Sequence, residues 1–448
     1  MNFKLLLIFS LLLNANVTLA QQGALSVEEA VKLALLSNPD LTAARSRVEQ
    51  AKGQLTQIRS LYAPNLGFDF GYLRGDAPSA YLFKGIDARK LPAGVDFNNP
   101  GVFDNLEVGL TARYNLWDGG RKSLSVKQAK AHLKAGTHLR DQVINQLIGA
   151  VIQTYFDVLA AMEFVEVAQE SLKTVNVQLK EARVRHRLGG ALKSDVLSIE
   201  VRVAEAKERL IAAENAVELT KSALRRLLDL SPQEEVVLSG KEWKPAKLPL
   251  GLQARLAAAI EHRPDLRAMK SRLQSAQSGR DLANKQYQPR LDLVGRYYMD
   301  DDSGDLEASR ANWTVGAMMS WELGDGGRRK GALKEASSRL DEMEAQLKSL
   351  ERTIEMEVHQ AHLQLKDAKA RLDVATANGE RAEETLKLVK GLFTGGAATV
   401  TRYLTAETDR TMAKFRAIKA RYDLKKAKAA LGHVLGLCVR CAKDWKEK

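Results

Sequence analysis

The sequence predicts an α+β architecture written twice, each copy a pair of strands feeding a long antiparallel coiled-coil hairpin. Three observations predict it: an internal repeat, two stretches of alternating polarity in each half, and a seven-residue apolar period between them. The chain has 448 residues, 45% hydrophobic and 27% charged, which is too long for a single core and too apolar for a disordered protein. Two cysteines exclude a disulfide scaffold.

Residues 1–20 read as a signal peptide. Lys4 precedes an apolar run from Leu5 to Leu13, and Val17 to Ala20 supply small residues before a cut at Gln21. No cysteine follows that cut, so no acyl anchor is expected. Beyond it no apolar run reaches the roughly 18 residues of a bilayer-spanning helix, so none is expected. An exported protein of this kind is either soluble or a membrane β-barrel.

The repeat divides the rest. Asn38-Pro39-Asp40-Leu41 recurs as Arg263-Pro264-Asp265-Leu266, and Pro64-Asn65-Leu66 recurs at the same interval as Pro289-Arg290-Leu291. The run from Leu116 to Lys122 returns as that from Leu323 to Lys330, and Leu227–Leu230 as Val434–Leu437, at a shorter interval. An insertion therefore lies between Leu66 and Leu116, where the Gly/Pro/Asp-rich stretch from Gly75 to Asn105 reads as a long exposed loop. The copies are placed at 21–240 and 241–437, with 438–448 as a tail.

Strands are expected at about 66–73 and 106–117, and again at about 291–299 and 313–323. Leu66, Phe68, Phe70 and Tyr72 alternate with Gly67, Asp69 and Gly71, and Leu106, Val108, Leu110 and Tyr114 with Glu107, Gly109 and Arg113. Aromatics near the ends of such segments fit a membrane barrel, apolar to lipid and polar to a lumen. Soluble hairpins fit the same alternation, and strands alone do not choose between them.

Long helical hairpins are expected at about 125–230 and 330–436. One seam runs Ile144, Val151, Val158, Val165, Leu172, Leu179, and its partner Leu147, Thr154, Ala161, Ala168, Val175, Ala182. Return helices follow, with Val196, Val203 and Leu210 in the first, and Tyr403, Arg410 and Ala417 in the second. An outgoing helix from Ser125 to Leu188 would be about 95 Å long at 1.5 Å per residue, a reach suited to crossing an aqueous gap below a membrane. Shorter helices at 39–62 and 264–288 precede the strands and could stand end to end with the return helices. Four strands cannot close a membrane barrel, whose smallest form has about eight, so several copies must share one.

With those elements in order, the mature chain resembles the TolC family of outer-membrane efflux proteins. The resemblance rests on the NPDL and RPDL openings, the two Asp-Gly-Gly corners after the strands, and Gly189-Gly190 followed by Ser194-Asp195-Val196-Leu197. It implies a homotrimer in outer-membrane lipid, with a 12-stranded barrel continuing into a periplasmic α-helical barrel. It further implies docking to a periplasmic adaptor and an inner-membrane RND, ABC or MFS pump, serving efflux or type I secretion. Such a chain is a passive duct, with no catalytic residues, cofactor or resident metal.

In that family function gathers at the helical tips. Here these comprise Arg187, Leu188, Gly189, Gly190 and Ser194 in the first hairpin, and Leu392, Gly395 and Gly396 in the second. The resemblance makes them adaptor-docking candidates; by themselves the glycines need only reverse the chain. The family's acidic entrance ring maps onto Arg402 and Thr405, so acid is replaced by base there and an anion-favouring entrance is expected. A latching tyrosine and arginine of the family correspond to Phe393 and Ala398. Asp195 keeps its place without them and is expected to pair with Arg402 or Arg187.

Other groups carry less. His359 and His362, with Glu355 nearby, lie beside an apolar seam and read as solvated surface rather than metal ligands. Cys438 and Cys441 could form a disulfide in an oxidising compartment. The Asp-Gly-Gly corners lack the GK[ST] of a phosphate loop. Residues 401–448 carry 13 Lys+Arg against 5 Asp+Glu, a basic helix surface rather than a nucleic-acid groove, and no nucleic-acid partner is expected. The alternative to a channel is a structural periplasmic coiled-coil protein without a pore.

Overall fold

The computed structural model describes residues 24–439 except Pro92 and Ala246. The expected signal peptide, most of the C-terminal tail and Cys441 lie outside the described residues. The chain forms two compact units, one of residues 45–140 and 265–350, the other of residues up to 44, 141–264 and from 351 onward.

In the first unit, β1 (Asn65–Gly75), β2 (Phe103–Trp117), β3 (Arg290–Asp301) and β4 (Asn312–Ser320) make one antiparallel sheet in the order β1-β2-β3-β4. The strand pairs of the two halves are thus not separate hairpins: β2 pairs with β3 from Leu106↔Asp301 to Trp117↔Leu291. The period of two then sorts side chains cleanly. Leu66, Phe68 and Phe70 of β1 share a face with Leu110, Tyr297, Trp313, Val315 and Met319, and all of these are exposed, Leu66 to 76%. Asp69, Glu107, Thr111, Arg113, Asp292, Arg296 and Asp300 populate the other face. A sheet that leaves so broad an apolar face uncovered suits lipid, not water. β4 stops at Ser320, short of the expected Leu323, because its partner Arg290 follows Pro289, which has no amide proton to extend the ladder.

The insertion is not merely a loop. It contains α3 (Pro78–Asp87), which begins with Pro at its first position, where the missing amide proton has no partner to lose.

The second unit is helical. α1 (Val27–Ser37) opens with a capping box in which Ser26 N–H donates to Glu29 Oε2 (2.7 Å) and Glu29 N–H to Ser26 Oγ (3.3 Å). Val27, Val31 and Ala34 of this helix enter a core with Ile148, Val151, Tyr155, Phe156 and Val158 of α4 (Arg121–Arg187) and with Leu224 and Leu228 of α5 (Lys193–Leu228). The second half of the chain supplies α6 (Leu252–His262) and α9 (Val400–Val434) to this unit, while its α7 (Pro264–Asn284) belongs to the first unit and α8 (Arg328–Thr394) runs through both. α4 and α8 are each 67 residues and unbroken. The heptad seams explain this: Val151, Val158, Ala161, Ala168, Val175 and Ala182 of α4 are all buried, as are Ile354, Val358, Ala361 and Ala368 of α8.

The repeated openings have a mechanical role. Asn38 accepts from the amide of Asp40 at the start of α2 (Pro39–Arg59) and donates its Nδ2 to Leu227 O at the end of α5, 3.0 Å each. In the second copy Arg263 Nη1 donates to Val434 O (3.5 Å), and Leu227 and Val434 are equivalent residues of the repeat. Each opening therefore ties the next helix to the last carbonyls of a return helix, satisfying groups that a helix end leaves orphaned.

One expectation fails. α4 does contain a stretch long and apolar enough to cross a membrane, half of it buried in the protein. The excess apolarity comes from two seams on one helix, and Tyr155, Phe156 and Val158 spend it on the core.

Candidate functional site

The hairpin tips are built by the same capping device used twice. α4 ends at Arg187, after which Gly189 adopts φ 75° and Gly190 N–H donates to Arg185 O at 2.8 Å. α8 ends at Thr394, after which Gly396 adopts φ 78° and Ala397 N–H donates to Leu392 O at 2.8 Å. Both are left-handed glycine terminations with the six-to-one bond of a Schellman motif. Of the four glycines singled out in the sequence, only Gly189 and Gly396 need positive φ; Gly190 and Gly395 do not. Leu188 and Leu392 are exposed apolar residues on the tips, and Ser194 is exposed in the first turn of α5.

The return helices begin differently. Asp195 Oδ2 accepts from the Leu192 amide (3.3 Å), whereas at the equivalent position of α9 it is the amide of Arg402 that donates to Thr399 Oγ1 (3.3 Å). Among the described residues Asp195 forms no ion pair with Arg402 or Arg187, contrary to expectation, because the helix N-terminus offers it a nearer donor. Arg402 and Thr405 both lie exposed, one turn apart, and Thr405 Oγ1 donates to Thr401 O at 2.9 Å. Ala398 is half-buried and brings no polar group.

Phe393, by contrast, is engaged. Its ring stacks on Tyr403 with centroids 5.1 Å apart and planes 5° from parallel, and the Arg185 guanidinium lies over it at 5.3 Å. Tyr403 is buried, and its hydroxyl accepts from Gln178 Nε2 at 2.7 Å. Burial, reinforced by the Glu407 carboxylate, pushes the Tyr403 phenol above its usual range. α4 of the first hairpin is thereby joined to α9 by the Gln178–Tyr403 hydrogen bond and to α8 by Arg185 over Phe393, while the aromatic stack links α8 to α9.

Two turns further from the tip stands a charged cluster. Arg410 donates to Glu170 of α4 (2.6 Å) and Glu383 of α8 (2.7 Å) and lies 3.5 Å from Glu407 on its own helix, while Lys414 reaches Glu170 at 2.9 Å. Glu407 is buried, and desolvation pushes its carboxyl up while Arg410 pulls it down. Sequence reasoning missed Gln178, Arg185 and this cluster. A signal existed for Arg410, a charge in a seam position otherwise filled by Tyr403, Ala417, Leu424 and Leu431.

The remaining candidates separate. Glu355 pairs with Arg352 (2.8 Å), and His362 Nδ1 lies 2.7 Å from Arg255 Nη1, where burial and then the Arg255 charge lower its pKa. His362 therefore offers that nitrogen as an acceptor to a guanidinium. Cys438 is buried beside the α1–α4 core.

Comparison with known proteins adds to this geometry. The profile of the family described as outer membrane efflux protein matches residues 30–229 and 256–437. The chain is 23% identical to the pyoverdine export outer membrane protein OpmQ of Pseudomonas aeruginosa, over 92% of this chain and 85% of the relative. Against protein CyaE of Bordetella pertussis it is 22% identical, over 77% of this chain and 70% of the relative. A solved membrane protein from Pseudomonas aeruginosa is similar with a TM-score of 0.81 at 21% identity, covering 92% of this chain and 93% of that one. The outer membrane protein VceC from Vibrio cholerae gives a TM-score of 0.78 at 18% identity, over 92% and 96%. The structural likenesses establish the fold, and the profile, matching well over half of the residues, establishes more: the chain belongs to the outer membrane efflux protein family.

Proposed function

We propose that this chain is the passive outer-membrane duct of a tripartite efflux or type I secretion system, working as a homotrimer whose twelve strands close one barrel. The carrying observation is the four-stranded sheet with its apolar face exposed and its edges, β1 and β4, each paired on one side only among the described residues. Unpaired edges in lipid cost several kcal/mol per orphaned backbone group, so closure by further copies is required.

The helices support the same reading. Leu197, Val201, Ile211 and Leu219 of α5 are exposed and fall within about 80° of one another at 100° per residue. Met356, Leu363, Val374, Leu388 and Leu392 of α8 are exposed within about 40°. Two different apolar stripes on one chain make a head-to-tail interface, the kind that closes into a ring.

The tips carrying Arg187, Leu188, Gly189, Gly190, Ser194, Leu392, Gly395 and Gly396 then face the periplasm, where an adaptor linked to an inner-membrane pump docks. Arg402 and Thr405 line the entrance, and the Phe393–Tyr403–Gln178 contact holds the second hairpin against the first in place of an ionic latch. Asp195 and Ala398 stand beside it, Asp195 as a helix cap. No chemistry is asked of the chain; energy comes from the pump.

Unheated SDS gels and planar-bilayer recording test this. A heat-modifiable trimer with pore conductance is expected. A monomer that stays in solution without amphiphile overturns the proposal.

A further inference from the structure

The connection between β1 and β2 folds back over the sheet, and it does so onto the polar face. Lys84 of α3 bonds Glu107 of β2 and, at 2.9 Å, Asp300 of β3. Tyr298 Oη donates to Asp87 Oδ2 (3.2 Å), Asn312 Nδ2 to Asp87 O (2.8 Å), and the Tyr81 ring meets Phe103 edge-on at 5.5 Å. Phe103, Glu107, Tyr298, Asp300 and Asn312 all belong to the face opposite the exposed apolar one.

The following turn is fastened as well. Arg89 adopts φ 53°, uncommon for a non-glycine residue, and donates to Ser309 O (2.7 Å) and Ala311 O (3.3 Å). Lys90 pairs with Asp301 and Asp302, both at 2.8 Å. Asp300 and Asp301 are almost wholly buried under these contacts. Two lysines set against four carboxylates at one sheet end, with Arg89 on two backbone carbonyls beside them, define a docked element, not a loop trailing in water.

On its far side α3 presents Phe83 and Ile86, 65% and 49% exposed and three residues apart on one face. In a closed barrel that side points at the bore. We propose that α3 is a plug at the outer mouth of the pore, and that Phe83 and Ile86 pack against the same two residues of the neighbouring copies around the axis. The proposal rests on the shared barrel proposed above.

Dimensions favour it. Twelve strands about 4.8 Å apart and tilted about 40° close at a backbone radius of about 12 Å. A helix with its side chains is about 10 Å across, and three such cylinders in mutual contact fill a circle of about 11 Å radius. Three α3 helices therefore meet at the axis and block it, leaving only gaps of about 2.4 Å radius along the wall, and their inner faces must be apolar to meet without stranding polar groups.

Cross-linking from outside the cell tests this. In a chain whose two cysteines are replaced by serine, Phe83→Cys should give covalent dimers with a short, membrane-impermeant bismaleimide. Leu110→Cys, on the apolar outward face about 20 Å from its copies at that radius, should not. An unheated trimer without Phe83→Cys cross-links overturns the plug and leaves the barrel standing, whereas absence of any trimer overturns both. As a second measurement, residues 77–101 are replaced by a short Gly-Ser turn and Arg113→Cys, on the bore face below α3, is labelled from outside. Labelling at least about tenfold faster than with α3 present is expected, a gap of about 1.4 kcal/mol; an unchanged rate overturns the proposal.

Discussion

Glu407 and Arg410 show how a single buried charge is tolerated between helices. Arg410 is held by Glu170 and Glu383 from two other helices, so Glu407, one turn away on α9, receives only a distant share of that positive charge. Burial, the Glu170 and Glu383 charges push its carboxyl up, against Arg410 and Lys414. A carboxyl raised on folding contributes stability below its unfolded pKa and loses it as pH rises through the folded value. Glu407→Gln should therefore stabilise the detergent-solubilised protein at pH 8 by on the order of 1 kcal/mol, read as a higher melting temperature, and change little at pH 4. Thermal scans at the two pH values check this; equal shifts at both would remove the charge from the explanation. Arg402 belongs to the same scale: Arg402→Ala should lower anion preference in single-channel recording, and an unchanged reversal potential across a salt gradient would place the guanidinium away from the ion path. Residue identity at the tips was legible from spacing, since Gly189 and Gly396 are equivalent in the repeat. Partnership was not. Asp195 chooses a backbone amide over a cation, and Gln178 reaches Tyr403 across 225 positions, which no local pattern encodes.

Among the elements, strands and long helices were the most readable, because alternation and heptads are imposed by burial along their whole length. Their ends were less so. β4 ends where Pro289 removes a donor on the neighbouring strand, and α3 rises inside a stretch whose Gly, Pro and Asp content reads as loop; its contacts with the sheet, among them Glu107, Asp300, Tyr298 and Phe103, give it a reason to fold. The two Asp-Gly-Gly corners look identical in sequence yet differ in room. Gly119 has φ 70°, and a Cβ there would lie 2.4 Å from Gln288 Cβ, whereas Gly326, at φ 63°, has open space. Gly119→Ala should cost about 2–4 kcal/mol from strain plus overpacking, and Gly326→Ala about 1 kcal/mol. The yield of folded, heat-modifiable protein in membranes ranks the two; equal yields would mean that the Gln288 side chain gives way freely.

For the whole molecule, the proposed trimer assigns assembly to the exposed apolar stripes on α5 and α8. Val374→Asp places a charge in the middle of the α8 stripe and should convert the proposed trimer to monomer on unheated gels while leaving helix content intact, since Val374 is 60% exposed within its own chain. Val201→Asp on α5 should do the same, and a trimer surviving both would relocate the interface. Duplication made the fold legible at this scale, yet the two halves are not interchangeable. Only the first carries the extra segment between its strands. In the trimer proposed above the helical part would nearly repeat every sixty degrees and the sheet end bearing that segment only every one hundred and twenty, so an antibody directed against residues 76–102 should find three epitopes per particle and saturate there, although six interstrand turns would stand side by side.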